Sequence, residues 1–576
     1  MENDWYKRMA FYQIWVRSFC DGNGDGIGDL YGVYEKLDYI HSLGVDGIWF
    51  SPLYPSPNAD FGYDISDYRD IHPDYGTLEQ FQKVLGRTHE LGMKVIMDLV
   101  VNHTSDEHQW FVESRKSRDN PYSDYYIWRD AKHGKLPNNW NSLFEGKAWE
   151  YAPERDQYYL HLFAKKQPDL NMDNPKVREE VKEIMRFWLD MGVDGFREDV
   201  ITFISKADHL PDGYPLIPAA NALHLYKDGP HIHEYLHEFR QVCQEYDCFQ
   251  LGEGPMTTTK SALTYLTGTN KSLDLMFNFD HMMADCMFTE YIQRPFKLRR
   301  LKRAFSKWQK ELNGKAWNTL YLENHDHPRV ISRYGNEAFN RESGTMLAVC
   351  FLFQQGTPFI YQGQEIGMTN IKLDSIDKYV DVSSINNYHS FHVKDSIEKR
   401  LARIHASSRD SSRTPMQWDD SANAGFSTVT PWFHVNPNYR EINVAKEEKE
   451  ADSILNFYRK CLDYRKHSDV ALWGSYREHD KWNSKLYVYS RSFGEEGLLV
   501  VCSFSAEPVR WELSKEYRNC DLRVALCNYE VEDLQKDTVE VCDTKSCGTK
   551  SYILRPYEAR VYEVRFSDAL HQTNES

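Results

Sequence analysis

Long apolar runs are missing from this chain. No stretch approaches the ~18 apolar residues that a membrane-crossing helix requires, and Met1-Glu2-Asn3-Asp4 leads into patterned sequence without the apolar core of a signal peptide. A cytoplasmic protein without a membrane partner is expected. Cysteine is scarce: 11 residues, an odd number, with no CxxC pair, and Cys502, Cys520, Cys527, Cys542 and Cys547 crowd the C-terminal part. A secreted disulfide framework would pair them, so reduced thiols are expected throughout. Positive charge is also in deficit. With 69 Lys and Arg against 86 Asp and Glu, the formal charge is −17, which argues against nucleic acid or an anionic membrane as the main partner.

What is abundant is aromatic side chain, 14% of 576 residues, on an ordinary 41% hydrophobic background. A chain of this length exceeds one core of usual size, so a large domain with smaller attachments is expected. Short β-rich apolar runs at 11–16, 45–50, 94–100, 193–200, 248–252, 273–279, 319–323 and 358–361 alternate with helical segments at 30–43, 77–91 and 181–189. Eight βα repeats predict an α/β fold, a closed (β/α)₈ barrel of the TIM type. The competing doubly wound sheet needs GxGxxG after its first strand. Gly22, Gly24, Gly26 and Gly28 do follow that strand, but they alternate with Asp and Asn.

Two segments break the rhythm. Residues 104–170 form a polar, aromatic insertion after the third strand, placed to overhang the carboxyl edge of the barrel. Beyond the helical run at 454–465, short alternating strands begin near Ala471. The expected division is therefore a barrel from 1–103 and 171–470, an inserted subdomain at 104–170, and a C-terminal antiparallel β-sandwich at 471–576.

Three acids end predicted strands: Asp199 in Gly195-Phe196-Arg197-Glu198-Asp199-Val200, Glu253 in Gln250-Leu251-Gly252-Glu253, and Asp326 in Glu323-Asn324-His325-Asp326. Singly, such acids are usually helix caps or ion-pair partners. Together at the chemical edge of a barrel they match the needs of glycoside cleavage, in which one carboxylate attacks the anomeric carbon and a second carboxyl protonates the leaving oxygen. Arg197 would keep Asp199 ionised, and crowding of acids would raise the proton donor.

With Asp98-Leu99-Val100-Val101-Asn102-His103, Gln167-Pro168-Asp169-Leu170-Asn171 and Arg413-Thr414-Pro415-Met416-Gln417-Trp418 added in this order, the chain resembles the α-amylase superfamily (glycoside hydrolase family 13), and most its oligo-1,6-glucosidase and α-glucosidase branch. The resemblance implies Asp199 as nucleophile, Glu253 as general acid/base and Asp326 as transition-state stabiliser. It implies that Tyr63, Asp64, His103, Phe163, Arg197, Val200, His325 and Arg413 bind the glucosyl unit, with an Asp64–Arg413 pair closing the pocket behind the 4-hydroxyl so that the enzyme is exo-acting. Val after the nucleophile resembles members favouring α-1,6 bonds, with α-1,4 as a second linkage. Glu198, Gly254 and His327 depart from the family, where Met, a larger residue and Gln are common.

The loop 21–29 spaces oxygen donors at Asp21, Asn23, Asp25 and Asp29, and the absence of Glu at position 12, here Gly32, rejects an EF-hand. By resemblance these residues and the Ile27 carbonyl would hold a structural Ca2+, with no organic cofactor. His233-Glu234-Tyr235-Leu236-His237 matches the zinc motif HExxH, yet reads as a solvated helix face lacking a third ligand. The sequence thus implies a retaining α-glucosidase, monomeric or weakly oligomeric, acting on short oligosaccharides such as isomaltose. The rivals are a sucrose-acting hydrolase or isomerase, a phosphodisaccharide hydrolase, and a non-catalytic transporter-subunit relative.

Overall fold

Eight parallel strands form one sheet in a computed structural model that describes residues 4–566, apart from 145, 216, 218, 219, 288, 391–393, 519, 531–537 and 542–548. They are β1 (Phe11–Ile14), β2 (Gly47–Phe50), β3 (Lys94–Leu99), β4 (Gly195–Glu198), β5 (Phe249–Glu253), β6 (Leu275–Phe277), β7 (Thr319–Leu320) and β8 (Thr357–Tyr361). Each coincides with one of the apolar runs. The sheet order is β7-β8-β1-β2-β3-β4-β5-β6. Its two edges meet where Thr319 Oγ1 donates to the Met276 carbonyl (3.0 Å) and Tyr321 Oη to the Asn278 carbonyl (2.7 Å). Side chains therefore close the ring where the backbone ladder stops, and the (β/α)₈ expectation holds.

These strands are buried on both faces, as parallel strands covered by helices must be. Phe11, Trp49, Ile96, Phe249, Leu251, Phe277 and Phe359 pack inward as one cluster, with the Phe11 ring stacked 5.2 Å from Phe359 and 5.9 Å from Phe249. One pleat higher, the inward positions turn polar. Asp98 lies beside Arg197 across β3–β4, and Arg197 beside Leu251 across β4–β5. Gly195 is needed for this contact, because a Cβ there would lie 2.3 Å from the Phe249 carbonyl oxygen.

The surrounding helices are α1 (Leu30–Ser42), α2 (Leu78–Glu90), α3 (Pro175–Met191), α4 (Ile232–Tyr246), α5 (Thr259–Leu266), α6 (Leu298–Leu312), α7 (Asn340–Leu352) and α8 (Ile454–Lys466). α3 shows why they form. Asn174 caps it by accepting from the Lys176 amide, Pro175 opens it, Val177, Val181, Ile184, Met185 and Trp188 bury one stripe, and Gly192 at φ 109° ends it. That last turn delivers the chain to Gly195.

Residues 104–170 build a short helix and an antiparallel sheet of Trp128–Arg129, Gln157–Leu160 and Trp149–Ala152. Its Trp140, Trp149, Leu160 and Leu162 share a core with Val200, Phe203 and Tyr226, beyond the end of β4, so the insertion is packed directly over that strand end. Between β8 and α8 the chain forms the helices Val382–Ser390, Ile397–Ser407 and Val444–Lys449, joined by turns and loops. The C-terminal strands form a five-stranded and a three-stranded antiparallel sheet beginning at Ser475, with Leu486, Val488, Leu499, Val501, Trp511 and Leu554 between them. Ala471 lies in the short helix Asp469–Trp473 that precedes these strands.

The cysteine expectation is corrected at one place. Cys243 and Cys248 are joined across the α4–β5 turn, with Cα atoms 4.8 Å apart. Cys20, Cys286, Cys350, Cys461, Cys502, Cys520 and Cys527 are free, while Cys542 and Cys547 lie outside the described residues. Among the described residues no helix is long and apolar enough to cross a membrane.

Candidate active site

Arg197, fully buried, organises the carboxyl edge of the barrel. Its Nη1 donates to Asp98 Oδ1 (2.7 Å) and Asp199 Oδ1 (2.6 Å), and its Nη2 pairs with Glu253 Oε1 at 2.5 Å. The Trp49 ring lies beneath the guanidinium, 5.3 Å away. Three carboxyls thus share one cation. Burial and the neighbouring Glu253 push Asp199 above the usual carboxylate range although Arg197 pulls it down, and Asp98 is likewise raised by burial, to about 6. The expectation that Arg197 holds Asp199 low is therefore opposed by burial and by the crowding of acids.

Beyond Asp199 the strand breaks at Val200, which takes φ 36°, ψ 37°. A β-branched residue in the left-handed region costs ~1–3 kcal/mol. The turn aims the Val200 amide at Glu253 Oε2, 3.0 Å away, and so fixes the carboxyl that Arg197 holds from the other side.

Asp326 faces this group from the loop that follows β7. It accepts from Arg409 Nη1 (3.1 Å) and Arg413 Nη2 (3.0 Å) and lies 3.0 Å from His325 Nε2. Burial alone would raise Asp326, but these partners hold it well below the usual range. Burial pulls His325 down to about 4, so the imidazole is neutral. Gln13 Nε2 donates to its Nδ1 (2.7 Å), which leaves the proton on Nε2, facing Asp326 and Tyr63 Oη (2.6 Å); Tyr63 in turn donates to Asp98 Oδ2 (3.0 Å). One chain of hydrogen bonds links the two sides of the site.

Asp199, Glu253 and Asp326 line one cavity of about 520 Å³ together with Tyr63, His103, Phe163 and Val200. His103 is buried, pulled down to about 4 by desolvation, and held by the Tyr63 carbonyl (3.1 Å). Phe163 packs on His103 at 5.0 Å and meets Phe144 edge-on at 5.4 Å. Arg197 and His325 stand behind the wall and position the acids.

The expected Asp64–Arg413 pair is not formed. Asp64 accepts from Ser56 Oγ (2.9 Å) and from the amides of Ala59 (2.8 Å) and Asp60 (2.9 Å), so it ties its own loop together. Arg413 is spent on Asp326 and the His325 carbonyl. The cavity wall is made instead by Asp60 and Arg409, paired at 3.1 Å, with Asp381 behind Arg409 Nε at 2.8 Å. Burial lifts Asp60 to about 6 despite Arg409. Sequence reasoning missed both residues, each four positions upstream of the one chosen. The signal was present in the repeated arginine of Arg409-Asp410-Ser411-Ser412-Arg413.

Glu198, next to Asp199, points the other way, into the helix layer, where Gln250 Nε2 donates to it (2.8 Å) and burial lifts it to about 7.

In the loop 21–29 the side-chain oxygens turn onto the loop's own amides. Asp21 accepts from Gly24 (2.6 Å) and Gly26 (2.8 Å), Asn23 from Asp25 (2.9 Å), Asp25 from Ile27 (2.8 Å) and Asp29 from Gly32 (2.7 Å). Among the described residues no group of three His, Cys, Asp or Glu side chains is placed to hold a metal ion. The HExxH residues lie on α4, where His233 packs on Tyr265 and Tyr235 donates to Asp173.

Residues 13–474 match the family model described as alpha amylase, catalytic domain. The oligo-1,6-glucosidase of Parageobacillus thermoglucosidasius is 48% identical over 548 residues, covering 93% of this chain and 97% of the relative. Among solved structures, the trehalose-6-phosphate hydrolase of Bacillus licheniformis has a TM-score of 0.89 at 41% identity, covering 97% of this chain and 100% of that one. The isomaltulose synthase of Protaminobacter rubrum has a TM-score of 0.91 at 38% identity, covering 97% and 99%. The acids on the carboxyl edge of a (β/α)₈ barrel and these matches lead to one assignment: the chain belongs to the α-amylase family of glycoside hydrolases.

Proposed function

We infer that the protein is an exo-acting, retaining α-glucosidase that hydrolyses α-1,6-glucosidic bonds at the non-reducing ends of short oligosaccharides such as isomaltose. The observation that carries this reading is the bridging of Asp199 and Glu253 by one guanidinium opposite Asp326, in a cavity walled by Asp60–Arg409. A shared cation brings the two carboxyls close, as retention requires, with a separation of about 5–5.5 Å. Asp199 then attacks the anomeric carbon from one face, and Glu253 delivers a proton to the leaving oxygen from the other. Water, activated by Glu253, hydrolyses the glycosyl-enzyme. Asp326, kept ionised by two arginines, stabilises the oxocarbenium-like charge. The Asp60–Arg409 pair walls the cavity where the 4-hydroxyl of a bound glucosyl unit would lie, which supports exo action.

The test is turnover of an aryl α-glucoside and isomaltose by wild type and Asp199→Asn, with the first-formed anomer read by NMR. We expect α-glucose from wild type and a loss of at least about 10³-fold in kcat in the variant. Release of β-glucose first, or wild-type turnover by Asp199→Asn, would overturn the assignment.

A further inference from the structure

The cavity continues from the acids to a second wall carrying Pro255, Met256, Phe279 and Glu290, where the leaving group must lie. Glu290 sits on the strand Thr289–Gln293, paired antiparallel with Cys286–Met287. Its Oε1 is 2.5 Å from His327 Nδ1 and accepts from Arg333 Nη1 at 3.4 Å. Arg333 is itself fixed on Asp285 through Nε (2.9 Å) and Nη2 (2.7 Å). His327 is buried and the Phe279 ring covers it edge-on at 5.6 Å. One carboxylate oxygen is thus held from behind, while no described residue bonds Oε2.

The charge around this wall is one-sided. Among the described residues, Asp60, Asp199, Glu253, Asp326 and Glu290 line the cavity against a single lining cation, Arg409, which already serves Asp60, Asp326 and Asp381. A neutral sugar can donate hydroxyls to Glu290 Oε2. A phosphorylated sugar would place like charge beside it, with no free cation among the described lining residues to compensate.

Resting on the glucosidase reading, we propose that Glu290, positioned by His327 and Arg333, recognises the leaving sugar, accepting hydrogen bonds from a neutral polyol and rejecting a phosphorylated one. A site built to accept a hydroxyl discriminates through a charge-assisted bond, about 10- to 100-fold for one contact.

The experiment compares kcat/KM for isomaltose, trehalose 6-phosphate and an aryl α-glucoside in wild type, Glu290→Gln, Glu290→Lys, His327→Ala and His327→Gln. In wild type, trehalose 6-phosphate is expected at least about 100-fold below isomaltose. The isomaltose-to-aryl ratio falls about tenfold or more in Glu290→Gln and in His327→Ala, and His327→Gln, whose amide also donates, recovers part of it. Glu290→Lys raises the phosphate-to-isomaltose ratio about tenfold or more. Wild-type cleavage of trehalose 6-phosphate on a par with isomaltose, or ratios unmoved in all Glu290 variants, would overturn the proposal. Absence of turnover on the aryl α-glucoside would overturn the glucosidase reading itself, so the two failures are separable.

Discussion

Glu198 offers a quantitative check on how the nucleophile strand is held. Its side chain is fully buried behind β4; Gln250 serves Oε1, while Oε2 has no partner among the described residues. Burial lifts the group to about 7, against an unfolded value of 4.5. Because the folded carboxyl binds its proton more tightly, its contribution to stability is fully present below pH 4.5 and is lost as pH rises through 7. A shift of that size corresponds to roughly 3 kcal/mol in total, of which about 2–3 kcal/mol falls between pH 5 and pH 8. Glu198→Gln has no proton to lose. We therefore expect its stability relative to wild type, from urea unfolding, to improve by about 2–3 kcal/mol on going from pH 5 to pH 8. The comparison across pH cancels any fixed cost of placing an amide beside the unpaired position. A pH-independent difference between the two proteins would show that Glu198 is ionised at neutrality and would refute the reasoning.

Three further outcomes follow from the site. Arg409→Lys replaces a fork that spans Asp60, Asp326 and Asp381 with one ammonium, so kcat/KM on isomaltose should fall by at least about 30-fold, or ~2 kcal/mol; wild-type kinetics would show that the pair does not grip substrate. We propose that Asp21, Asn23, Asp25, the Ile27 carbonyl and Asp29 take up Ca2+ by exchanging amide contacts of the loop for the ion. A chelator should then lower Tm and added Ca2+ restore it, whereas an unchanged melting curve would remove the ion. Val200→Thr trades a methyl for a hydroxyl beside the scissile bond, and the isomaltose-to-maltose ratio of kcat/KM should shift by about tenfold; a constant ratio would take Val200 out of linkage selection.

The barrel was legible because each parallel strand is buried on both faces, so its apolar run survives in sequence regardless of what packs on it. The acids were legible because chemistry sits where those runs end. The glucose-side wall was not. Residues 58–64 carry positive φ at Asn58 (62°), Phe61 (45°) and Gly62 (103°), and such a turn redirects successive side chains by contacts that no periodicity reports. Asp60 and Asp64 therefore look equivalent in sequence, although one lines the cavity and the other caps the loop. The Cys243–Cys248 link was hidden for a similar reason: α4 stops at Asp247 with φ 57°, and only that reversal brings two cysteines five residues apart into contact.

The same distinction explains why Arg197 matters more than any single acid. A strand alternates its side chains, so Gly195, Arg197 and Asp199 share the inward direction while Phe196 and Glu198 face the helices. A guanidinium at 197 is therefore placed by the strand itself beside Asp98, its register neighbour on β3, and reaches Glu253 at the end of β5, two residues beyond its register neighbour Leu251. Removing the cation would leave three buried carboxyls in mutual repulsion, a loss of roughly 3–5 kcal/mol. Arg197→Ala should accordingly abolish activity together with much of the stability. Asp326→Asn, which leaves both Arg409 and Arg413 their bonds to other acceptors, should abolish activity while the thermal transition survives.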